Sequence, residues 1–184
     1  MGDPRAREAR RAVCDYRAAI NGVLDGWKER ASGRDELMIP LTTDGAADDG
    51  LLEDYMFASH YGKFADFGFL SEPDMLRVRK WLLRRRYADE NGLYSNQVSR
   101  NGQRKDEHVW YTTWQDQHWF NAWMRVGRRD LARKTLAATL KFALTDEYLV
   151  GERYHDADAW YYPWSPNASG SGRIVQMLLA DTED

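Results

Sequence analysis

From Pro4 to about Arg30, apolar residues recur at three-to-four spacing: Ala9, Ala12, Val13, Tyr16, Ile20, Val23, Leu24 and Trp27. This spacing predicts one long amphipathic helix with Pro4 in its first turn, and it places Cys14 in the core. A polar stretch over 31–49 breaks the pattern before a broad apolar helix from Gly50 to about Phe67, whose small residues Ala58, Ser59, Gly62 and Ala65 suit close packing. After a turn at Gly68, Ser71 and Asp74 with Pro73 between them mark a helix start, and that helix is expected to end near Ala88. Further helices are predicted over Trp114–Val126, with Thr113 and Asp116 as its cap, over Leu131–Leu144 after the stop at Gly127, and over Ser169–Ala180. Trp119 and Trp123, at helical spacing, belong to the core.

The connections carry as much information as the helices. Those over 31–49, 89–111 and 145–168 are long, while the turns between them take a few residues. Long connections are uncommon without a function, and three at regular intervals suggest a repeated helical hairpin. Antiparallel alternation then gathers all three at one end of the helical layer. Turn signals at Asn91-Gly92 and Asn101-Gly102 leave room for a short strand pair around 93–98 and 104–109.

Composition narrows the functional classes. The 184 residues, 43% of them hydrophobic, suffice for a single globular domain over 1–184 or a large portion of one. Twenty-six Lys and Arg against 29 Asp and Glu leave a net charge of −3, which argues against a general nucleic-acid binder. Two arginine-rich runs, Arg5 to Arg11 and Arg77 to Arg86, lie on helical patterns and are expected to be solvated outer faces. No apolar window reaches the length of a membrane span, and the charged start carries no secretory signal, so the default location is cytoplasmic. A lone cysteine excludes an intrachain disulfide, and with four histidines neither a structural metal nor a cofactor is expected.

The hairpin rhythm, with Asp48-Asp49-Gly50-Leu51-Leu52-Glu53-Asp54, Asp89-Glu90-Asn91-Gly92-Leu93-Tyr94, Trp114-Gln115-Asp116-Gln117 and Pro163-Trp164-Ser165-Pro166-Asn167-Ala168-Ser169-Gly170, resembles the six-hairpin glycosidases. The resemblance implies an all-α fold of the (α/α)6-toroid type, in which the long loops entering the inner helices carry an open sugar-binding cleft. Three inner and three outer helices make about half a toroid, so the expected partners, beside a carbohydrate substrate, are the remainder of a toroid or another copy of the chain. The implied activity is glycoside hydrolysis, with an inverting course. The alternatives are a noncatalytic helical-repeat module binding a glycan or peptide, and a sugar epimerase or polysaccharide lyase on the same fold.

Glycoside hydrolysis needs one carboxylic acid to protonate the leaving oxygen and a carboxylate to activate water or attack the sugar. Each long connection offers candidates: Asp44, Asp48 and Asp49 in the first, Asp106 and Glu107 in the second with Asp116 just inside the helix, and Glu152, Asp156 and Asp158 in the third. Acidic residues are also what helix N-termini and surface loops prefer. Asp44, Glu107 and Glu152, one from each, are the catalytic candidates. Aromatic rings suit the C–H face of a pyranose, which makes Trp110, Tyr111, Trp114, Trp160 and Trp164 substrate-binding candidates. Arg153 offers a guanidinium fork for an acidic sugar. His118, set among Trp114, Trp119 and Phe120, is expected to be partly buried, with Asp116 or Glu107 as possible pairing partners, while His155-Asp156-Ala157-Asp158 is a weak divalent-ion motif. Asn167 is read as a helix entry.

Overall fold

The computed structural model describes residues 3–40, 59–85, 87–94, 97–98, 109–145, 147–151, 154 and 167–182. Their regular structure is six helices, α1 (Pro4–Arg30), α2 (Ser59–Asp66), α3 (Glu72–Arg84), α4 (Thr113–Arg125), α5 (Arg129–Ala143) and α6 (Ala168–Thr182). Gln97–Val98 and Val109–Trp110 add one short antiparallel strand pair, with Gln97 opposite Trp110. The chain is therefore all-α in character. None of its described helices is long and apolar enough to cross a membrane.

Local chemistry accounts for most of the helix starts. Asp3 caps α1 by accepting from the Arg5 amide at 2.9 Å. Ser71 Oγ accepts from the Asp74 amide and donates to the Asp74 carboxylate at 2.8 Å, capping the helix where the sequence signals its start. Asn167 Oδ1 accepts from the Gly170 amide at 2.8 Å, as a helix-entry residue should. At α4 the expectation fails. The cap is Thr112, whose side chain makes no capping bond, and Asp116 is turned inward.

Contacts along the helices fix their relative directions. Gly62 of α2 lies against Gln115 of α4, Asp66 meets His118, and the Gly68 turn meets Arg125, so α2 and α4 run the same way. Gly170 of α6 approaches Thr113, while Gln117 bonds Arg173 and Gln176, so α6 also runs with α4. Packed by α2, α5 and α6, α4 is buried on most of its circumference. Its Trp119 stacks on Tyr94 at 4.1 Å between centroids, Trp123 donates to the Tyr94 hydroxyl at 3.2 Å, and Trp81 continues the aromatic layer to Tyr61 and Tyr87. Truncating any one of these rings to alanine would cost about 3–5 kcal/mol.

Two expectations about surfaces are corrected. Although α1 is predicted to bury its apolar stripe, among its residues only Leu24 is buried, and Val13, Tyr16 and Cys14 are exposed. The reason is length. A 27-residue helix spans about 40 Å, and it meets the core through Arg17, on Phe67 and Phe69, and through Ile20 and Leu24, so its first turns project beyond the helices around them. The second arginine run is not a free solvated face either. Arg77 donates to the carbonyls of Ala31 and Arg34, Lys80 pairs with Asp35 at 2.7 Å, and Arg84 grips Glu36, so α3 pins the start of the first long connection in register. The helix predicted from Gly50 is described from Ser59 onward; 50–58 lie outside the described residues.

At the Asp89–Tyr94 turn, the Leu93 amide donates to Asp89 Oδ1 at 2.7 Å and Thr135 Oγ1 donates to the Gly92 carbonyl at 2.8 Å. Gly92 has φ +99°, and a Cβ there would lie 3.1 Å from the Thr135 nitrogen and 3.2 Å from the Lys134 carbonyl carbon. Gly92→Ala should therefore lose about 2–4 kcal/mol, against about 1 kcal/mol for Gly33→Ala, where φ is also positive but nothing is near. Urea unfolding midpoints of the two variants measure the difference, and equal losses would contradict this packing.

Candidate functional site

Three segments meet at the first turn of α4. Tyr111 and Tyr154 exchange backbone hydrogen bonds, 2.9 Å from the Tyr111 amide and 3.1 Å from the Tyr154 amide, which ties the end of the second long connection to the third. Their rings also pack together, 5.8 Å between centroids. The Tyr154 hydroxyl bonds Asp116 Oδ2, and Thr139 of α5 closes the far side after giving its own proton to the Thr135 carbonyl. Asp116 and Tyr154 are both 0% exposed.

Burial decides the charge state. Removing a carboxylate from water raises its pKa, and here desolvation outweighs the lowering by the Tyr154 hydroxyl, with the Asp89 charge adding to the rise. The Asp116 carboxyl is carried from the ordinary 3.8 to about 8 and is protonated at neutral pH. Its Oδ1 has no hydrogen-bond partner among the described residues, and the same is true of the Thr112 hydroxyl one turn away. Burial, reinforced by Asp116, raises the Tyr154 phenol as well, and burial pushes Tyr94 up to about 12. The cluster therefore presents neutral hydroxyl and carboxyl groups, and it holds a proton without burying a net charge.

The sequence-derived candidates distribute unevenly over this arrangement. Asp44, Glu107, Glu152, Arg153, Trp160 and Trp164 lie outside the described residues, as do Asp48, Asp49, Asp106, Asp156, Asp158 and His155. Trp110 is placed in the second strand by its backbone. Tyr111 is in the core, 1% exposed, with its ring against Tyr154 and not on open surface, whereas Trp114 is 37% exposed on the first turn of α4. His118 is partly buried, as expected, but its Nδ1 lies 2.7 Å from Asp66 Oδ2 and not beside Asp116. Sequence reasoning missed the role of Asp116, which it assigned to the cap. The available signal was the run Thr112-Thr113-Trp114-Gln115-Asp116, which offers an alternative cap and leaves Asp116 three, four and seven residues before Trp119, Phe120 and Trp123, on their apolar face.

Among the described residues, no group of three or more His, Cys, Asp or Glu is arranged to hold a metal ion. Compared with known proteins, the chain matches no protein-family model, no curated protein and no solved structure.

The protonated carboxyl makes a signed prediction about pH. The native chain keeps a proton that the unfolded chain releases, so this group's contribution to stability is full below the unfolded pKa near 3.8 and is lost as pH rises toward about 8. Asp116→Asn removes that dependence. From about pH 5 to about pH 8 the wild type should lose stability relative to Asp116→Asn, by at most about 1.4 kcal/mol per pH unit. Urea unfolding across that range measures the slope; parallel profiles for the two proteins would show that Asp116 is not protonated in the fold.

Proposed function

We propose that the chain is a carbohydrate-active enzyme, a glycoside hydrolase built on helical hairpins of the (α/α)-toroid type, with its reacting carboxylates in the long connections. The Tyr111–Tyr154 bridge supports this reading most. Glu152 is two residues from Tyr154 and Glu107 four from Tyr111, and covalent geometry limits those separations to about 7 Å and about 14 Å. The first connection leaves the helical layer beside α2, where the Tyr61 hydroxyl accepts from the Ile39 amide at 3.2 Å and His60 contacts the Ile39 carbonyl. That α2, α4 and α6 share one direction supports a common end for the connections that enter them, as a sugar cleft requires.

In this reading Glu107 or Glu152 protonates the leaving oxygen, and Asp44, flanked by Thr43 and Gly45, stays ionised and acts as base. Asp116, without exposure to solvent, acts as a positioning residue through Tyr154. Trp114, with Trp110, Trp160 and Trp164, supplies apolar faces for the sugar, and Arg153 a site for an acidic substituent. The exposed apolar faces of α1, at Val13 and Tyr16, and of α6, at Val175, Leu178 and Leu179, support closure of the array by further helices or by a second copy.

The test is hydrolysis of a panel of aryl glycosides by the purified chain, with its mass measured in solution. Glu107→Gln and Glu152→Gln should each slow turnover of a confirmed substrate by about 100-fold or more. Rates within a few-fold of wild type for both variants would overturn the assignment. Retention on an immobilised glycan without turnover would favour the noncatalytic module.

A further inference from the structure

On the other side of Trp81 from the aromatic core, the C-terminal end of α1, the segment after it and α3 enclose a cleft of about 650 Å³. That volume is in the range of small-molecule sites. Its wall carries Arg30, Arg34 and Arg84 against a single carboxylate, Glu36. Glu36 is already engaged, with Arg84 Nε at 2.9 and 2.8 Å from its two oxygens. The neighbouring cations are also occupied: Lys28 and Arg77 face Asp74, and Lys80 holds Asp35. Arg30 and Arg34 differ from all of these. Neither has a carboxylate partner or a side-chain hydrogen bond among the described residues, and both line the cleft.

Arg30 is held in a fixed attitude. Its guanidinium lies over the Trp27 ring, 4.0 Å from the centroid, which occupies the flat face of the cation and leaves its N–H edges to meet an anion. As a last-turn residue Arg30 also favours the negative end of the α1 dipole, but that role applies to neither Arg34, beyond the helix, nor the cleft itself. The remaining wall is apolar: Met38 and Ala31, both half-buried, and the edge of Trp81. With one face of Trp27 covered by Arg30 and Trp81 only 3% exposed, the floor suits an aliphatic ring better than a stacked base.

We infer that this cleft binds a small sugar anion, its carboxylate or phosphate held by Arg30 and Arg34 and its ring lying on Met38 and Ala31, beside the edge of Trp81. The site shares no residue with the Asp116 cluster or with the loop carboxylates, so it stands independently of the glycosidase reading. Carboxylate and phosphate present the same oxyanion to a guanidinium fork, and separate probes distinguish them.

The experiment is calorimetric titration of the full chain at low salt with glucuronate, glucose 6-phosphate, glucose and inorganic phosphate. Glucuronate or glucose 6-phosphate should bind, and glucose and inorganic phosphate should bind about tenfold more weakly or not at all. Arg34→Ala removes an exposed side chain with no side-chain partner among the described residues, so it should keep the wild-type circular dichroism and weaken the sugar anion about tenfold; Arg30→Gln should do the same. Added salt should weaken binding further. Binding that Arg34→Ala leaves unchanged, inorganic phosphate as tight as the sugar anion, or no binding of either sugar anion would each overturn the inference. Hydrolysis assays do not enter this readout, so its failure is separate from failure of the proposed activity.

Discussion

A helix enclosed by three others has no water to solvate its polar side chains, and α4 brings Thr113, Gln115, Asp116 and Gln117 into that position. Every one of them must find a protein partner or become neutral, because a lone buried charge is far more costly than a buried hydrogen-bonded dipole. The solutions differ by face. Gln117 bridges to Arg173 and Gln176 on α6, and His118 meets Asp66 on α2. Asp116 faces α5; with no cation beside it among the described residues, it keeps its proton and accepts from the Tyr154 hydroxyl instead.

That last solution has a structural consequence beyond its own pair. Tyr154 belongs to the third long connection, and its backbone is laddered to Tyr111 at the end of the second. The neutral Asp116 thus anchors two of the three long connections to the central helix. On the same face of α5, one turn before Thr139, the Asp89 turn is clamped by Thr135 and by the close approach of Gly92. The segments that border the proposed cleft are therefore fastened to helices that are themselves buried, which is how a site on loops keeps its geometry.

Much of this was legible in the sequence. Three-to-four periodicity located five of the six helices closely: α3 to α6 each bury one face, and Ser71, Gly127 and Asn167 mark helix ends. The strand pair appears as allowed, though it is only two residues long on each side. Tertiary context decided what failed. Periodicity says that Val13, Cys14 and Tyr16 share a helix with a buried stripe, but not that the helix outruns its partners. Likewise, the arginines of α3 look like any solvated run until Asp35 and Glu36 are seen beside them, and these lie more than 40 residues away in the chain. Asp116 was assigned to a cap because Asp is common there; which of Thr112, Thr113 and Asp116 turns inward depends on Tyr154, 38 residues on.

The central claim is that the α4 carboxyl is neutral in the native protein at physiological pH. Carbon-13 NMR of the Asp116 side-chain carboxyl, assigned by its disappearance in Asp116→Asn, follows that protonation directly as pH is varied. The account predicts a midpoint near 8 and a protonated chemical shift at neutral pH. A midpoint near the ordinary 3.8, with a carboxylate shift at neutral pH, would contradict it.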